Sequence, residues 1–211
     1  MSGDPELAKA LRALSRRDPD LARARKVAGP LPDRRRDPGL ATLMRIVVEQ
    51  QLSVASANAI WGRVLGAAEP FTAEAFLALE DDHLRSLGLS RPKARYCRAL
   101  AHAVHTGGLA LDRIDAMTDE EALAHLTQVK GVGRWTAEIY LLFALGRPDI
   151  WPAHDLALQA ALHHLKGLKA RPDWKKMDRI AEAWRPYRGT AARLLWRYYA
   201  AVKTAQRVKA K

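Results

Sequence analysis

Between its prolines, nearly every segment of this chain repeats its apolar residues with the period of an α-helix. The clearest apolar face consists of Leu40, Leu43, Met44, Val47 and Val48. No stretch alternates apolar and polar residues for long enough to predict a β-strand. The periodicity therefore predicts an all-α fold.

Capping residues predict where several helices begin. Ser53 can cap a helix that runs through Trp61. Thr118 followed by Glu121 forms a capping-box pattern, which predicts a helix from near Asp119. Further helices are predicted around residues 92–105, 133–146, 155–165, 173–185 and 189–205.

The composition limits the class of protein and its partners. The chain has 35 Lys and Arg against 23 Asp and Glu, a formal net charge of +12. Such an excess favours nucleic acid as partner, although a basic surface without that role has equal weight on charge alone. Cys97 is the only cysteine, which excludes an internal disulfide and a four-cysteine metal site. The chain has no membrane-spanning apolar run and no signal segment, so we expect a cytoplasmic protein.

A Gly-rich turn, Gly131-Val132-Gly133, separates two predicted helices. Two glycines so close together permit positive φ and bring the backbone near whatever lies outside the turn. The amides of the turn and of the helix beginning at Arg134 then point outward, an arrangement that suits a phosphate. Taken alone, the pattern favours a plain αα-hairpin.

The turn is one of several blocks that occur in a fixed order. VKGVGRWTA is followed by RPDIWPAHD, which ends at Asp155, 22 residues after Gly133 (155 − 133 = 22). The other blocks are IVVEQQLSVASANAIWGRV, LRSLGLSRPKARY and AEAWRPYRGTAARLLWRYY. Over roughly residues 38–200, the chain resembles the helix-hairpin-helix/Gly-Pro-Asp superfamily of DNA glycosylases. Within it, the pattern is most similar to 3-methyladenine DNA glycosylase II.

The resemblance implies two helical lobes with the active site in the cleft between them. We expect one lobe to comprise residues 1–36 and 151–211. The other would comprise residues 37–150 and carry the helix-hairpin-helix at about 119–146. The protein is expected to act as a monomer.

The resemblance also implies a structural ion in the hairpin. Family hairpins commonly hold a monovalent cation through turn carbonyls, which here belong to Thr127, Val129 and Val132. The expected ion is Na⁺ or K⁺. No cofactor is expected to take part in catalysis.

Asp155 is the catalytic residue that the resemblance implies. From the residues alone it is an ordinary helix N-cap, and both roles are compatible. An ionised carboxylate beside the sugar can stabilise the cation that develops as the N-glycosidic bond breaks, or orient a water. Trp135 occupies the position where bifunctional relatives carry a nucleophilic lysine, and Lys130 does not. The resemblance therefore implies hydrolysis without strand cleavage.

The implied substrates are alkylated purines of the 3-methyladenine and 7-methylguanine type, flipped out of double-stranded DNA. These bases carry positive charge, and aromatic faces bind a flat cation. Trp135 and Trp184 match aromatic pocket positions of the family, and Tyr140 is a further candidate. Ile139 and Leu156 stand where some relatives carry tyrosines, so a narrower range of methylated bases is expected.

The resemblance assigns two further roles in DNA binding. Gln51, in the QQLS segment, would be the wedge that fills the space left by the flipped base. The residues expected to contact DNA phosphates are Gly131, Gly133, Arg134, Lys130 and Lys93.

Two alternatives stay open. The first is a glycosylase for another lesion, such as uracil, hypoxanthine or a mismatched base, with the same fold and the same Asp155. The second is a non-catalytic helix-hairpin-helix DNA-binding protein, which has no need of a carboxylate at that position.

Overall fold

The computed structural model describes residues 4–209, without the side chains of 207–209. In this part of the chain all regular structure is helical, which confirms the predicted all-α class. Two short 3₁₀ helices, Leu111–Ala116 and Glu182–Trp184, interrupt the series of α-helices. The α-helices are α1 (Pro5–Arg17), α2 (Pro19–Ala28), α3 (Leu40–Glu49), α4 (Val54–Ala67), α5 (Ala73–Leu77), α6 (Asp81–Ser86), α7 (Arg91–His105), α8 (Asp119–Thr127), α9 (Arg134–Phe143), α10 (Leu156–Leu165), α11 (Trp174–Ala181) and α12 (Arg188–Lys209).

The predicted helix caps are confirmed by their hydrogen bonds. The Ser53 hydroxyl accepts the amide of Ser56 at 3.1 Å and caps α4. Thr118 and Glu121 form both halves of a capping box at the start of α8. The helix predicted over 133–146 is shorter, since α9 ends at Phe143. Within residues 4–209, none of the helices is long and apolar enough to cross a membrane.

The chain divides into two compact units. The terminal unit comprises Met1–Arg34 and Arg147–Lys211, and the central unit comprises Arg35–Gly146. The boundaries expected from sequence lay at residues 36 and 150. The structure divides the chain two and four residues earlier, after Arg34 and after Gly146, which has a φ of 66°.

In the terminal unit, α12 packs against α1, α2 and α10. The face that these helices share is apolar, and its burial is the main stabilising contribution to the unit. Its largest buried side chains include Leu14, Leu21, Leu158, Leu162, Trp184 and Leu195.

A buried carboxylate joins four elements of this unit. Asp18 lies between α1 and α2, and its Oδ1 accepts the amide of Asp20 at 2.9 Å. Its Oδ2 accepts hydrogen bonds from Lys166 Nζ at 2.8 Å and from Trp184 Nε1 at 3.0 Å. Lys166 is the C-cap of α10, so Asp18 fixes that end of the helix.

The central unit is built around α3, α7 and α9. The helix α3 packs against α4, α7 and α9, while α8 packs against α9. Of the predicted apolar face of α3, Leu43, Met44, Val47 and Val48 are fully buried and Leu40 is half-buried. Trp61 is buried, and its ring makes an edge-on contact with that of Phe71.

Removing the Asp18 carboxylate should destabilise the protein strongly. Asp18→Ala would leave the buried Trp184 N–H without its acceptor and Lys166 without one of its two anions. We expect the free energy of unfolding to fall by about 3 kcal/mol. Asp20→Ala is the matched control, because Asp20 binds the same ammonium from a more exposed position and should cost about 1 kcal/mol or less. Chemical denaturation followed by circular dichroism measures both, and equal losses would contradict the prediction.

Candidate functional site

The turn of the hairpin depends on a glycine at position 131. Gly131 has a φ of 97°, a region that L-residues rarely adopt. A Cβ there would lie 2.4 Å from both Cβ and Cγ of Tyr96 on α7. Backbone conformation and packing therefore both require glycine at this position.

Gly133 is under neither of these constraints. Its φ is −78°, and a Cβ built on it would meet no atom within 4 Å. Of the two glycines of the turn, only Gly131 uses the positive φ that glycine permits. Gly133 is the N-cap of α9 and has no side chain to cap the first amides of that helix. Its missing side chain leaves this side of the turn open to a close approach from outside.

The carbonyls assigned to a cation belong to the segment between α8 and α9. The Val129 carbonyl accepts the amide of Val132 at 3.0 Å and keeps a second lone pair. The Thr127 hydroxyl donates to the Leu123 carbonyl at 2.7 Å. Nowhere in the described part of the chain do three or more His, Cys, Asp or Glu side chains form a metal-binding group. The atoms at the hairpin that could bind a cation are therefore carbonyl oxygens of the backbone.

Two of the predicted phosphate ligands extend from the hairpin toward solvent. Lys130 is exposed at the turn. The Arg134 side chain is 62% exposed, and its Nε donates to Glu138 Oε1 at 2.8 Å. Glu138 is buried, so this contact fixes the orientation of a guanidinium whose side chain is otherwise largely exposed.

The structure gives Lys93 a role inside the protein that the sequence did not predict. Its side chain is half-buried, and its ammonium donates to the carbonyls of Val48 and Gln50, both at 2.7 Å. Burial lowers the pKa of Lys93 from its ordinary value. Two of its three donors thus act inside the protein, at the end of α3, and the role of Lys93 as a phosphate ligand stays a prediction for the third donor alone.

Gln51, the predicted wedge, is an exposed residue in an unusual conformation. It follows the C-cap of α3 and has a φ of 56°, the only positive φ of a non-glycine residue among residues 4–209. This is the position after a helix that glycine usually occupies, and another residue there is strained by about 1 kcal/mol or more. Strain of this kind is typical of residues kept for function.

Two of the three aromatic pocket candidates are core residues. Trp184 is fully buried, packs edge-on against Trp151 at 5.4 Å and donates to Asp18. Tyr140 is also fully buried, and its hydroxyl accepts the amide of Gly39 at 2.9 Å. Burial raises the pKa of Tyr140. Neither ring has a face open to a base, so both predictions are wrong for this structure. Trp135 is half-buried and keeps part of its surface accessible.

Asp155 is the N-cap of α10, and its side chain is half-buried. Its Oδ1 accepts the amide of Leu158 at 2.8 Å and the indole N–H of Trp196 at 3.0 Å. The capping role read from the sequence is therefore confirmed. The contact with Trp196 could not be predicted from the local sequence, because the two residues lie 41 positions apart.

The Pro-rich segment before Asp155 is tied down by its own hydrogen bonds. The Asp155 amide donates to the Pro152 carbonyl at 3.0 Å, and the Ala153 amide donates to the Trp151 carbonyl at 2.9 Å. At its start, Asp149 pairs with Arg188, whose Nε and Nη2 reach its two carboxylate oxygens at 3.0 and 2.8 Å. The carboxylate of Asp155 is thus presented by a segment with few degrees of freedom.

Comparison with known proteins identifies the family. The family model described as "HhH-GPD superfamily base excision DNA repair protein" matches residues 44–186. The chain belongs to this superfamily. The match covers the hairpin, the Pro-rich segment and Asp155, and it confirms the resemblance inferred from the ordered blocks.

Relatives within this HhH-GPD superfamily include proteins named for one activity. The chain is 32% identical to DNA-3-methyladenine glycosylase 1 of Schizosaccharomyces pombe over 159 residues, 74% of this chain and 70% of that protein. The structure of that organism's 3-methyladenine DNA glycosylase in complex with abasic DNA superimposes with a TM-score of 0.82, 32% identity and 89% and 95% coverage of the two chains. A DNA-3-methyladenine glycosidase from Bacillus halodurans gives a TM-score of 0.79, 30% identity and 93% and 91% coverage.

The two glycines of the turn should respond differently to the same substitution. Gly131→Ala should lower the free energy of unfolding by more than about 2 kcal/mol, because alanine is strained at this φ and its Cβ would collide with Tyr96. Gly133→Ala should change it by less than about 1 kcal/mol, since its φ is ordinary and the space is open. Yet Gly133→Ala should weaken DNA binding in fluorescence anisotropy. Equal stability losses, or full affinity in Gly133→Ala, would contradict the interpretation of the turn.

Proposed function

We propose that this HhH-GPD protein is a DNA glycosylase that hydrolyses the N-glycosidic bond of alkylated purines. The bases it would release are of the 3-methyladenine and 7-methylguanine type. The observation that carries the proposal is the half-buried carboxylate of Asp155, held at a helix N-terminus by the Leu158 amide and the Trp196 indole. The names of the S. pombe and B. halodurans relatives support the same class of substrate.

The arrangement around Asp155 suits a dissociative bond cleavage. A purine methylated at N3 or N7 is already cationic and leaves with its bonding electrons as a neutral base. The sugar then acquires positive charge, which an adjacent carboxylate stabilises. The Leu158 amide and the Trp196 indole both donate to one oxygen of Asp155, which fixes the orientation of the carboxylate. Water then adds to the sugar, and its proton passes to the carboxylate or to solvent.

Binding of the duplex is assigned to the hairpin and its basic neighbours. The open turn at Gly133 and the uncapped start of α9 suit a phosphate, with Lys130 and Arg134 adding positive charge. These groups contact the backbone of DNA and not base edges, which fits an enzyme that must examine every sequence. The net charge of +12 supports binding that weakens as salt concentration rises.

Recognition of the base is assigned to Trp135. Since Tyr140 and Trp184 are core residues, Trp135 is the predicted pocket aromatic that keeps accessible surface. One indole face can attract a methylated, cationic base by about 1–2 kcal/mol where water is excluded. The replacement of two tyrosines of some relatives by Ile139 and Leu156 favours a narrower range of methylated bases.

The hairpin also offers the donors for a structural Na⁺ or K⁺. Backbone carbonyls are ligands that suit such hard cations, and Thr127, Val129 and Val132 bring three of them to one turn. The Val129 carbonyl can take an ion on the lone pair that the Val132 amide does not use. The ion would hold the turn together and increase the polarity of the amides that face phosphate.

Asp155→Asn is the sharpest test of the catalytic assignment. Asparagine is as good an N-cap as aspartate and still accepts the Trp196 N–H, so stability should change by less than about 0.5 kcal/mol. Without the negative charge, single-turnover release of 7-methylguanine should fall at least about a hundredfold, while affinity for lesion DNA persists. Chromatography of the released bases measures the rate. Near-normal turnover would remove Asp155 from the mechanism, and a wild-type protein that binds DNA but releases no base would support the non-catalytic alternative.

The absence of a lysine at position 135 predicts hydrolysis without strand cleavage. An indole cannot form a Schiff base with the sugar, so borohydride should trap no covalent adduct between protein and lesion DNA. Trp135→Lys tests the position, since an amine there could form a Schiff base with the sugar that borohydride traps. An adduct formed by the wild-type protein would overturn the monofunctional assignment.

A further inference from the structure

The segment between α3 and α4 holds its exposed tip in a conformation that needs support. Gln51 occupies the left-handed position after the helix without being glycine. The last carbonyls of α3 have no partners within the helix. An exposed loop under these conditions would relax to other conformations unless contacts from elsewhere hold it.

Lys93 supplies one of these contacts. Its ammonium, which comes from the first turn of α7, binds the Val48 carbonyl in the last turn of α3 and the Gln50 carbonyl at 2.7 Å each. The Gln50 carbonyl belongs to the peptide bond whose nitrogen is that of Gln51. Because a peptide bond is planar, fixing the Gln50 carbonyl also fixes the peptide plane that contains the nitrogen and Cα of Gln51. The starting point of the Gln51 side chain is then fixed as well.

Gln50 supplies the second contact. Its side-chain Nε2 donates to Thr136 Oγ1 at 2.8 Å. Thr136 is buried in the first turn of α9, three residues after Gly133. The residue before Gln51 is therefore bonded to the helix that begins at the phosphate-binding turn assigned above.

We propose that Lys93 and the Gln50–Thr136 hydrogen bond are a positioning device that holds Gln51 in register with the Gly131–Gly133 turn. When the turn binds a DNA phosphate, the Gln51 side chain then enters the base stack at one defined base step. The inference rests on the proposed function and on Gln51 as the wedge. Lys93 and Gln50 act through Gln51, so they are positioning residues and not catalytic ones.

The device should matter only where a base must be forced out of a pair. Lys93→Met keeps the length and packing of the side chain and removes both hydrogen bonds. On a duplex with 7-methylguanine opposite cytosine, we expect single-turnover release to fall about tenfold or more. With the same lesion opposite an abasic-site analogue, flipping needs less energy, and the loss should stay within about threefold. 2-Aminopurine next to the lesion should report reduced unstacking in the variant.

A double-mutant cycle separates positioning from general damage. If Lys93 acts through Gln51, adding Gln51→Ala to Lys93→Met should cost no more than about a further twofold. Thr136→Val removes the second contact with little change in shape, should show the same preference for the unpaired lesion, and carries the test if Lys93→Met does not fold. Arg91→Met is the control for lost charge in the same turn of α7, and should lower release from both substrates by the same factor.

The possible failures are distinguishable. Equal losses of Lys93→Met and Thr136→Val on both substrates, or fully additive effects with Gln51→Ala, would overturn the positioning role while wild-type activity persists. A wild-type protein that releases no methylated base from either substrate would instead overturn the proposed function.

Discussion

The carboxylate of Asp18 holds together the helices that support the candidate catalytic residue. It binds the junction of α1 and α2, the indole of Trp184, and Lys166 at the C-terminal end of α10. A buried carboxylate is costly unless its oxygens are satisfied, so arrangements of its four elements that break these bonds are disfavoured. Because α10 is rigid, anchoring its C-terminal end also directs its N-terminal end, where Asp155 lies.

The central unit shows two different responses to the demands of DNA binding. At the turn, the fold requires Gly131, because its φ is positive and a side chain would collide with Tyr96. The fold does not require Gly133, which leaves open space outside the turn. At the end of α3, the reverse holds, since a glycine would be more stable than Gln51 in a left-handed conformation. Strain tolerated at an exposed glutamine, together with buried contacts that maintain it, is the pattern expected where side-chain chemistry matters more than stability.

Most of the fold could be predicted because its signals are local. Ser53, Thr118 and Asp155 each cap a helix through an amide three residues away, so their neighbours in the sequence are also their partners. The burial of Trp184 and Tyr140 and the internal contacts of Lys93 could not be predicted, because their partners are 166, 101 and 43–45 positions away. A tryptophan in a core and a tryptophan in a pocket look alike until the residues around them are known.

The order of residues alone therefore determined the helical class, the helix starts, the Gly-rich turn and the type of carboxylate available for chemistry. These features depend on periodicity and on hydrogen bonds between residues close in the sequence. Such local interactions do not depend on how the helices pack against one another. Tertiary packing decided which aromatic rings are buried, that Trp196 orients Asp155, and that the Lys93 ammonium binds the carbonyls at the end of α3. Burial and long-range hydrogen bonds arise only when distant segments meet, because solvent exclusion is a property of the packed chain and not of any one stretch of it.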